Sequence, residues 1–402
     1  MSSVFSTKHI PLSSIPPKEQ VDCTFVGATF ATMTTAILLA DAGFSVQILE
    51  AKSGLGFGDS GKTLLPASLS FTDNLFRLHA SLGEEKCRSI LDVMQIGITY
   101  LQKNGLLRGD AACEIPMNKT EQKELQDSQK IAQNLGFPMK IVSQEHLQRM
   151  GKNFNFAICH PNQGYVEPHE VYQHLYDLLR KRNITLCPNI SVHSFDQKEG
   201  KVVLHYSKGT SICDFLFLGA GIGNRDLDVF FREKLTPVRI QMMSIPHQKT
   251  HLSAMCETQY GYIQFRDSIQ NEQCYRLLTG CRWATPHLEI GEETEDVVDA
   301  ISQAQWRYAQ KHFPFSKELN IQNIQKWSAI QTHSCDGLPI VGPLPGREHI
   351  FSLCAFRDRQ ASLGIGSAIV LAHNLLDIKE SFYSTSTITK IPAILHPRRF
   401  VS

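Results

Sequence analysis

The alternation of apolar and polar positions near the N-terminus predicts a strand, a helix and a second strand in close succession. Cys23–Val26 is a short apolar run that Gly27 interrupts, and Ala31–Ala42 carries apolar residues at helical spacing. Gly43 then ends the helix, and Val46–Leu49 is a second apolar run. This order is typical of a βαβ unit, which joins two parallel strands through a helix.

Further apolar stripes alternate with polar segments along the rest of the chain. Pro168 suits the first turn of a helix that follows Gly164. Ala361–Leu376 is apolar apart from glycines and a few polar residues, so we expect a buried helix there. The other predicted helices are Phe71–Asn104, Lys119–Leu135 and Thr294–His312, and the other predicted strands are Ile184–Val192, Lys201–Tyr206, Asp214–Leu218, Gln241–Met255, Tyr260–Arg266, Gln273–Cys281, Lys326–Ile330 and His349–Leu353.

Composition narrows the class of protein. The 402 residues are enough for two domains, and 42% hydrophobic with 20% charged residues is typical of a globular chain. A formal net charge of +1 without a long basic stretch argues against a nucleic-acid binder. The 11 cysteines form no C-x-x-C pair, so we expect reduced thiols in a cytoplasmic protein, without a zinc site. No apolar run approaches the roughly 20 residues of a transmembrane helix.

The turn of the βαβ unit carries an altered dinucleotide fingerprint. The pattern G-x-G-x-x-G reads Gly27-Ala28-Thr29-Phe30-Ala31-Thr32, and Glu50 follows the second strand, where a carboxylate can bind a ribose hydroxyl. The first glycine is present, but threonines occupy the second and third glycine positions. The Thr29 side chain either crowds a pyrophosphate or donates its hydroxyl to it. The alternative is an ordinary βαβ unit without a ligand.

Six short segments follow this unit. The longest, Trp327–Pro345, reads WSAIQTHSCDGLPIVGPLP, and the others are Gly58–Thr63, Gly164–Pro168, Leu218–Gly221, Pro237–Gln241 and Tyr262–Arg266. In sequence and order they resemble motifs of the D-amino-acid-oxidase-like flavoprotein superfamily, which includes glycine oxidase, sarcosine oxidase and D-amino-acid dehydrogenase. The resemblance extends from about residue 20 to about residue 378.

The resemblance implies an α/β fold with a doubly wound FAD-binding domain and a discontinuous antiparallel-sheet α+β substrate domain. The FAD-binding domain would comprise residues 20–80, 150–225 and 326–380, and the substrate domain 81–149 and 226–325, with peripheral tails at 1–19 and 381–402. The residues implied to contact non-covalent FAD are Gly27, Ala28, Thr29 and Thr32 at the pyrophosphate; Glu50 at the ribose; Ala51, Lys52 and Val192 near the adenine; Ser60, Gly61, Lys62 and Thr63 at the phosphates or ribityl chain; Gly219, Ala220 and Gly221 on the dinucleotide's other side; and Ala355, Arg359, Gln360 and Ala361 within Ala355–Ser362 at the isoalloxazine.

The resemblance also implies the reaction, in which a hydride passes from an amine-bearing carbon to flavin N5. The arginine that the family uses near its conserved tryptophan is replaced here by Gln331, which cannot anchor a carboxylate by charge. Arg357 then resembles a substrate-facing arginine; alternatively it pairs with Asp358 or with flavin oxygens. Tyr262 is the best candidate for a substrate hydroxyl contact, with Tyr260 close behind and a core tyrosine as the alternative.

Two further residues are candidates for a role in proton transfer or in flavin attachment. His333 suggests proton transfer, although a hydrogen-bonded loop histidine explains it more simply. Cys335 suggests a covalent flavin, but the resemblance places the linking position at Ala329, so non-covalent FAD is expected.

The leading hypothesis is an FAD-dependent oxidoreductase that acts on a small amine or amino acid. A catalytically impaired or non-catalytic homologue is the second hypothesis, motivated by Thr29, Thr32, Gln331 and Arg359. A tRNA wobble-uridine modification oxidase is the third, since it shares the Asp336–Pro345 motif, although the net charge argues against it. The sequence leaves the electron acceptor open between oxygen and a quinone-linked carrier.

Overall fold

A computed structural model describes residues 9–71, 73–207, 209–248, 252–258, 263–270, 272–280, 285–377 and 390–401. The predicted contact residues Tyr260 and Tyr262 lie outside these described residues. Two sheets of eight strands each account for most of the described strands, and a three-stranded and a two-stranded sheet join them.

The strands and α-helices of the described residues follow in chain order. The strands are β1 Ile10–Pro11, β2 Gln20–Val26, β3 Val46–Leu49, β4 Gly54–Leu55, β5 Leu65–Ala67, β6 Leu107–Arg108, β7 Ala111–Ile115, β8 Lys140–Ile141, β9 Ile158–Pro161, β10 Gly164–Val166, β11 Thr185–Cys187, β12 Val192–Lys198, β13 Lys201–Tyr206, β14 Gly209–Leu218, β15 Leu235–His247, β16 Ala254–Thr258, β17 Ile263–Gln270, β18 Gln273–Gly280, β19 Gln325–Ser334, β20 Ile340–Leu344 and β21 Arg347–Cys354. The α-helices are α1 Phe30–Asp41, α2 Leu75–Leu82, α3 Glu84–Lys103, α4 Lys119–Asn134, α5 Gln144–Met150, α6 Pro168–Lys181, α7 Asn224–Leu227, α8 Asp299–His312 and α9 Ile365–Leu375, and a π-helical turn at Gln360–Gly364 leads into α9.

The first sheet is built on parallel strands. β11, β3, β2, β14 and β21 lie side by side in parallel, and their short apolar runs are buried. β13 and β12 extend β14 as an antiparallel meander, and β20 pairs antiparallel with β21. Helix α1 packs on α6 and α9, and α3 also packs on α9. The predicted βαβ unit is confirmed as β2–α1–β3.

The second sheet has an outer and an inner face. Its order is β19-β15-β18-β17-β16-β7-β9-β8. The outer face, with Met243 and Phe265, packs under α8. The inner face, with Ile240 and Trp327, packs on Leu64, just before β5, and on Tyr165 of β10. Because side chains alternate along a strand, the residues between the outer ones also belong to this inner face. The mixed α/β architecture confirms the predicted fold class.

Some elements lie outside their predicted positions. β9 and β19 fall within segments that the sequence assigned to the FAD-binding domain, but they pair in the second sheet, β9 with β7 and β19 with β15. Residues 390–401 pack against the body instead of forming a loose tail, since Leu395 is fully buried and its carbonyl accepts the Val341 amide. Among the described helices, none has the length and apolarity needed to cross a bilayer.

Candidate cofactor and substrate site

The turn after β2 brings two glycine backbones into contact. Gly27 has a φ of +92°, a conformation that favours glycine. A β-carbon at Gly27 would lie 2.8 Å from the carbonyl oxygen of Gly219, which follows β14. Because β2 and β14 are parallel neighbours, the Gly27 turn and the Gly219–Gly221 turn meet at one carboxyl edge of the sheet. Open α/β sheets bind their ligands at such an edge.

Thr29 and Thr32 cap helix α1. Thr29 is the N-cap residue, and its hydroxyl accepts the Thr32 amide at 3.3 Å. The Thr32 hydroxyl accepts the Thr29 amide at 2.8 Å and donates to the Gly27 carbonyl at 2.7 Å. This reciprocal box satisfies donors that a helix N-terminus otherwise leaves unpaired. The first-turn amides of Phe30 and Ala31 carry no intrahelical bond, so the helix end can still accept an anion.

The Thr32 side chain occupies space that Gly219 leaves open. Thr32 is fully buried, and a β-carbon at Gly219 would lie 2.3 Å from the Thr32 methyl carbon Cγ2. In the usual fingerprint, the third glycine lets the helix pack closely on the strand. In this chain the glycine lies instead at position 219, directly after the neighbouring strand β14. The Thr32 methyl therefore contacts Gly219 and does not fill the ligand crevice.

Glu50, the predicted ribose-binding residue, lies directly after β3. Its carboxylate accepts the Ala28 amide and the Lys52 amide, each at 2.8 Å. Burial raises the pKa of Glu50, and these backbone hydrogen bonds act in the opposite direction. The side chains of Ala51 and Lys52 are exposed, and Val192 is half-buried at the start of β12.

A 3-10 turn at Asp59–Gly61 is hydrogen-bonded to Gln360, in the segment after β21. The Ser60 hydroxyl donates to Gln360 Oε1, and Gln360 Nε2 donates to Asp59 Oδ2 at 2.8 Å. Burial raises the pKa of the Asp59 carboxyl to about 6. The structure thus places a buried carboxyl, Asp59, in hydrogen-bond contact with Gln360.

The other predicted residues of this turn have structural contacts. A β-carbon at Gly61 would lie 2.0 Å from the Gly56 carbonyl oxygen, so only glycine fits there. The Lys62 ammonium pairs with Glu295 of the second domain. The Thr63 hydroxyl donates to the Asp59 carbonyl at 3.1 Å, and the side chain is buried.

A single crevice unites these turns. It encloses about 380 Å³ that includes space open to solvent, and its walls come from α1, the Asp59 turn, the Gly219 turn and the segment after β21. The lining residues are Thr29, Ala31, Asp59, Gly219, Gly221, Thr332, Leu353, Cys354, Ala355, Phe356, Arg357, Gln360 and Gly364. Ala220 lies beside it, half-buried, and its amide donates to Asn224 Oδ1 at 3.1 Å.

The segment after β21 has an irregular backbone. Ala355 and Arg357 have φ values of +64° and +58°, in the left-handed region where few side chains are found. Arg359 Nε and Ser362 Oγ are buried, and neither has a hydrogen-bond partner among the described residues. Buried polar atoms normally have a partner, and the resemblance places a polar ring system along this segment. Neither Arg359 nor Ser362 lines the crevice. The Gly27–Gly219 contact, the end of α1 and the Glu50 carboxylate are the features that fit FAD.

Arg359 reaches from this segment to the second sheet. Its Nη2 donates to both carboxylate oxygens of Glu257 on β16, at 2.7 and 2.9 Å, and its Nη1 lies 3.3 Å from Asp358. Asp358 also accepts Gln264 of β17. Arg359 and Asp358 are each 2% exposed, so this buried ion-pair group joins the segment after β21 to the second sheet.

Of three other candidate residues, Arg357 lines the crevice, whereas Gln331 and Cys335 are not among its lining residues. Arg357 lines it beside Thr332, and its Nη1 lies 3.9 Å from the β-carbon position of Gly337. Gln331 is buried on β19, with its Oε1 3.4 Å from His333 Nε2. Cys335 is exposed.

The sequence matches the profile of a family described as FAD dependent oxidoreductase over residues 22–374. The chain belongs to this DAO family. Among curated proteins, no relative matches the sequence significantly.

Solved structures of similar fold include several amino-acid enzymes. Glycine oxidase from Geobacillus kaustophilus superposes with a TM-score of 0.72 at 16% identity, covering 96% of this chain and 100% of that one. L-Proline dehydrogenase from P. horikoshii gives 0.74 at 12% identity, with 96% and 98% covered. L-Amino acid deaminase from Proteus vulgaris, with its specific insertion deleted, gives 0.73 at 17% identity, with 100% and 99% covered. At these identities the likeness establishes the DAO fold and leaves the substrate open.

Two carboxyl residues of this DAO member were absent from the sequence predictions. Asp59 belongs to a recognised motif, but only its neighbours were assigned to the cofactor. Glu257 lies on β16 between Cys256 and Thr258, and all three side chains are buried. An acidic residue inside an otherwise apolar strand was the signal that could have found it, since acids are seldom buried without a partner.

Proposed function

We propose that the protein is an FAD-dependent oxidoreductase that oxidises a small amine or amino acid. The crevice carries this proposal: it joins the Gly27–Gly219 contact, the end of α1 and the segment at 355–362 at one sheet edge. Membership of the DAO family and the amino-acid enzymes among the similar folds support it.

Each part of the crevice has a distinct task in this proposal. The end of α1 holds the diphosphate, Glu50 holds the adenosine ribose, and Gly219–Gly221 allow the cofactor to approach the backbone. When bound, the flavin supplies the acceptor for a hydride from the amine-bearing carbon. Ala329 offers no nucleophile at the family's linking position, so FAD is held non-covalently.

The second domain keeps the reacting region dry. Its inner face is a buried apolar cluster around Ile240, Trp327 and Ala329. The Trp327 indole N–H donates to the Lys62 carbonyl at 2.7 Å, which fixes this face against the first domain. Exclusion of water strengthens polar interactions with a substrate. We assign substrate contacts to Gln331, Arg357 and Tyr262, and Tyr262 remains a prediction from sequence.

A flavin-free homologue is the second candidate function. The observation that favours it is the hydrogen-bonded box of Thr29 and Thr32, which occupies amide donors at the start of α1. In this case the fold would serve another purpose, and the crevice would not take up FAD.

The visible spectrum of the purified protein separates the two candidates. We expect flavin absorption bands, release of FAD on denaturation, and weaker FAD binding in Glu50→Gln, which removes the charge that accepts two backbone amides. Anaerobic bleaching by a panel of amines and amino acids then tests the reaction. A colourless protein that takes up no FAD on reconstitution would defeat the proposal.

A further inference from the structure

Three cysteines lie side by side in one row across three neighbouring strands of the second sheet. Cys113 on β7 lies directly opposite Cys159 on the antiparallel strand β9. On its other side, Cys113 is in register with Cys256 on the parallel strand β16. Side chains that are paired across strands lie on the same face of a sheet. All three thiols therefore belong to the outer face, where they pack in or against the apolar cluster under α8.

The geometry of this row suits a disulfide between Cys113 and Cys159. The Cys113 thiol shares a hydrogen bond with Cys159 and another with Cys256. A disulfide requires Cα atoms about 4.4–6.8 Å apart, and directly opposed residues of antiparallel strands are separated by about 4.5 or 5.5 Å. Both kinds of ladder position meet this requirement, so the two sulfur atoms can be joined without a change of strand register.

The three thiols differ in their access to solvent. Cys159 is half-buried, whereas Cys113 is 3% exposed and Cys256 is fully buried. An oxidant therefore reaches Cys159 first, and Cys113 lies beside it to complete the reaction. The hydrogen bond with Cys113, followed by burial, raises the pKa of the Cys159 thiol. Because the thiolate is the reactive form, the first step is slow at neutral pH, and oxidation needs a sustained exposure.

From these contacts we propose that Cys113 and Cys159 form a reversible disulfide when the protein is exposed to hydrogen peroxide. The Cys159 sulfur attacks one peroxide oxygen, the O–O bond breaks, and the products are a Cys159 sulfenic acid and water. The Cys113 thiol then attacks the sulfenic sulfur, and a second water leaves as the S–S bond forms. The sulfur pair loses two electrons, which the peroxide gains. A dithiol reductant reverses the reaction by exchange.

This disulfide requires neither FAD nor a substrate, so it stands apart from the proposed function. Cys113 and Cys159 bound a loop of about 45 residues that contains α4, β8 and α5, and a cross-link over such a loop restricts the unfolded chain. We therefore expect the oxidised protein to melt at a higher temperature than the reduced protein, by about 5 °C.

Peptide mapping of the oxidised full-length chain tests the proposal. The protein is incubated with hydrogen peroxide, free thiols are alkylated, and trypsin places the three cysteines of the row in three separate peptides. We expect a peptide pair joined through Cys113 and Cys159, which dithiothreitol separates. A map without this pair, a Cys159 sulfinic acid in its place, or a cross-link from Cys113 to Cys256 would overturn the proposal.

Two variants complete the experiment. Cys159→Ser should abolish both the cross-link and the rise in melting temperature on oxidation. Cys274 is the matched control, since it is also half-buried in the second sheet, but its opposed residues are Ile269 and His247. Cys274→Ser should form the same cross-link as wild type, with the same rise. A rise that survives Cys159→Ser contradicts the proposal, and if Cys159→Ser does not fold, the wild-type map decides by itself.

Discussion

Thr32 and Gly219 pack against each other. Thr32 has a side chain where the fingerprint has glycine, and Gly219 has no side chain at the point of contact. The Thr32 hydroxyl donates to the Gly27 carbonyl, and this hydrogen bond orients the Thr32 methyl group toward Gly219. The other atoms around a β-carbon at Gly219 are the Val26 and Leu353 carbonyl oxygens, at 3.5 and 3.6 Å. These are ordinary contacts, so the Thr32 methyl alone makes glycine necessary at position 219.

We therefore expect Gly219→Ala to lower the free energy of unfolding by about 1–3 kcal/mol through overpacking. Thr32→Ser keeps the hydroxyl and removes the methyl, and it should cost about 1 kcal/mol or less. In the Thr32→Ser background, Gly219→Ala should cost almost nothing further. Urea denaturation of the four proteins of this cycle measures the coupling. Additive losses would contradict the contact.

Asp59 makes FAD affinity depend on pH. Burial raises its pKa to about 6, and it lines the same crevice as the end of α1. An ionised Asp59 repels the diphosphate. Above the pKa of Asp59, FAD binding therefore requires that this carboxyl first take up a proton. We expect FAD affinity to fall by about tenfold between about pH 5 and about pH 7.5. Fluorescence titration of the apoprotein measures it, and Asp59→Asn should bind equally well at both values. A dependence that survives Asp59→Asn would implicate another group.

Helix α1 combines two roles that conflict at Thr29. The Thr29 hydroxyl caps the helix, and the same side chain lines the crevice. Thr29→Gly should cost the apoprotein only a few tenths of a kcal/mol, since glycine is a tolerated N-cap. It should raise FAD affinity several-fold, because the backbone can then approach the phosphates. Thr29→Ala, which loses the cap at a cost of about 1 kcal/mol, is the control for stability. Weaker FAD binding in Thr29→Gly would show that the hydroxyl holds the cofactor.

Local patterns predicted α1 and α6 well because their signals lie within the elements themselves. Gly27 and Gly43 bound the segment that contains α1, and Pro168 begins α6. The sequence did not show that β9 and β19 pair in the second sheet, because pairing partners far apart in sequence decide a strand's sheet. α8 begins at Asp299, five residues later than its apolar pattern suggested.

The site was predictable where one motif supplies it and hidden where two distant segments meet. Gly27, Glu50 and Gly219 follow from short motifs, and the structure places Gly27 against Gly219. The Thr32–Gly219 fit depends on the pairing of β2 with β14, which no local pattern contains. The Arg359–Glu257 pair likewise joins two segments far apart in sequence. The sequence therefore offered Arg357 as the functional arginine, and the acid within the apolar strand β16 was the one local signal for Glu257.

The C-terminal segment at 390–401 ties the fold together at the turn before β20. The Arg399 guanidinium donates to both oxygens of Asp336, at 2.6 and 3.1 Å, and to the Leu338 carbonyl at 2.9 Å. Leu395 fills a buried site beside β20. Burial alone would raise the pKa of Asp336, but the Arg399 hydrogen bonds and charge hold it below its usual value. This pair therefore links the end of the described chain to the turn between β19 and β20.

A carboxyl whose pKa is lowered by folding stabilises the protein above its unfolded pKa, and the stabilisation is lost as the pH falls through the folded pKa. Arg399→Met should accordingly lower the free energy of unfolding by about 1 kcal/mol near neutral pH, since the pair is partly exposed to solvent. The difference from wild type should shrink as the pH falls from about 4, the value for an unfolded aspartate, through the lowered pKa of Asp336 in folded wild type. Denaturant unfolding at several pH values measures it, with Arg398→Met as an exposed neighbouring control that should have little effect. An Arg399→Met loss that persists unchanged in acid would mean that its carbonyl contacts, and not its charge, hold the segment in place.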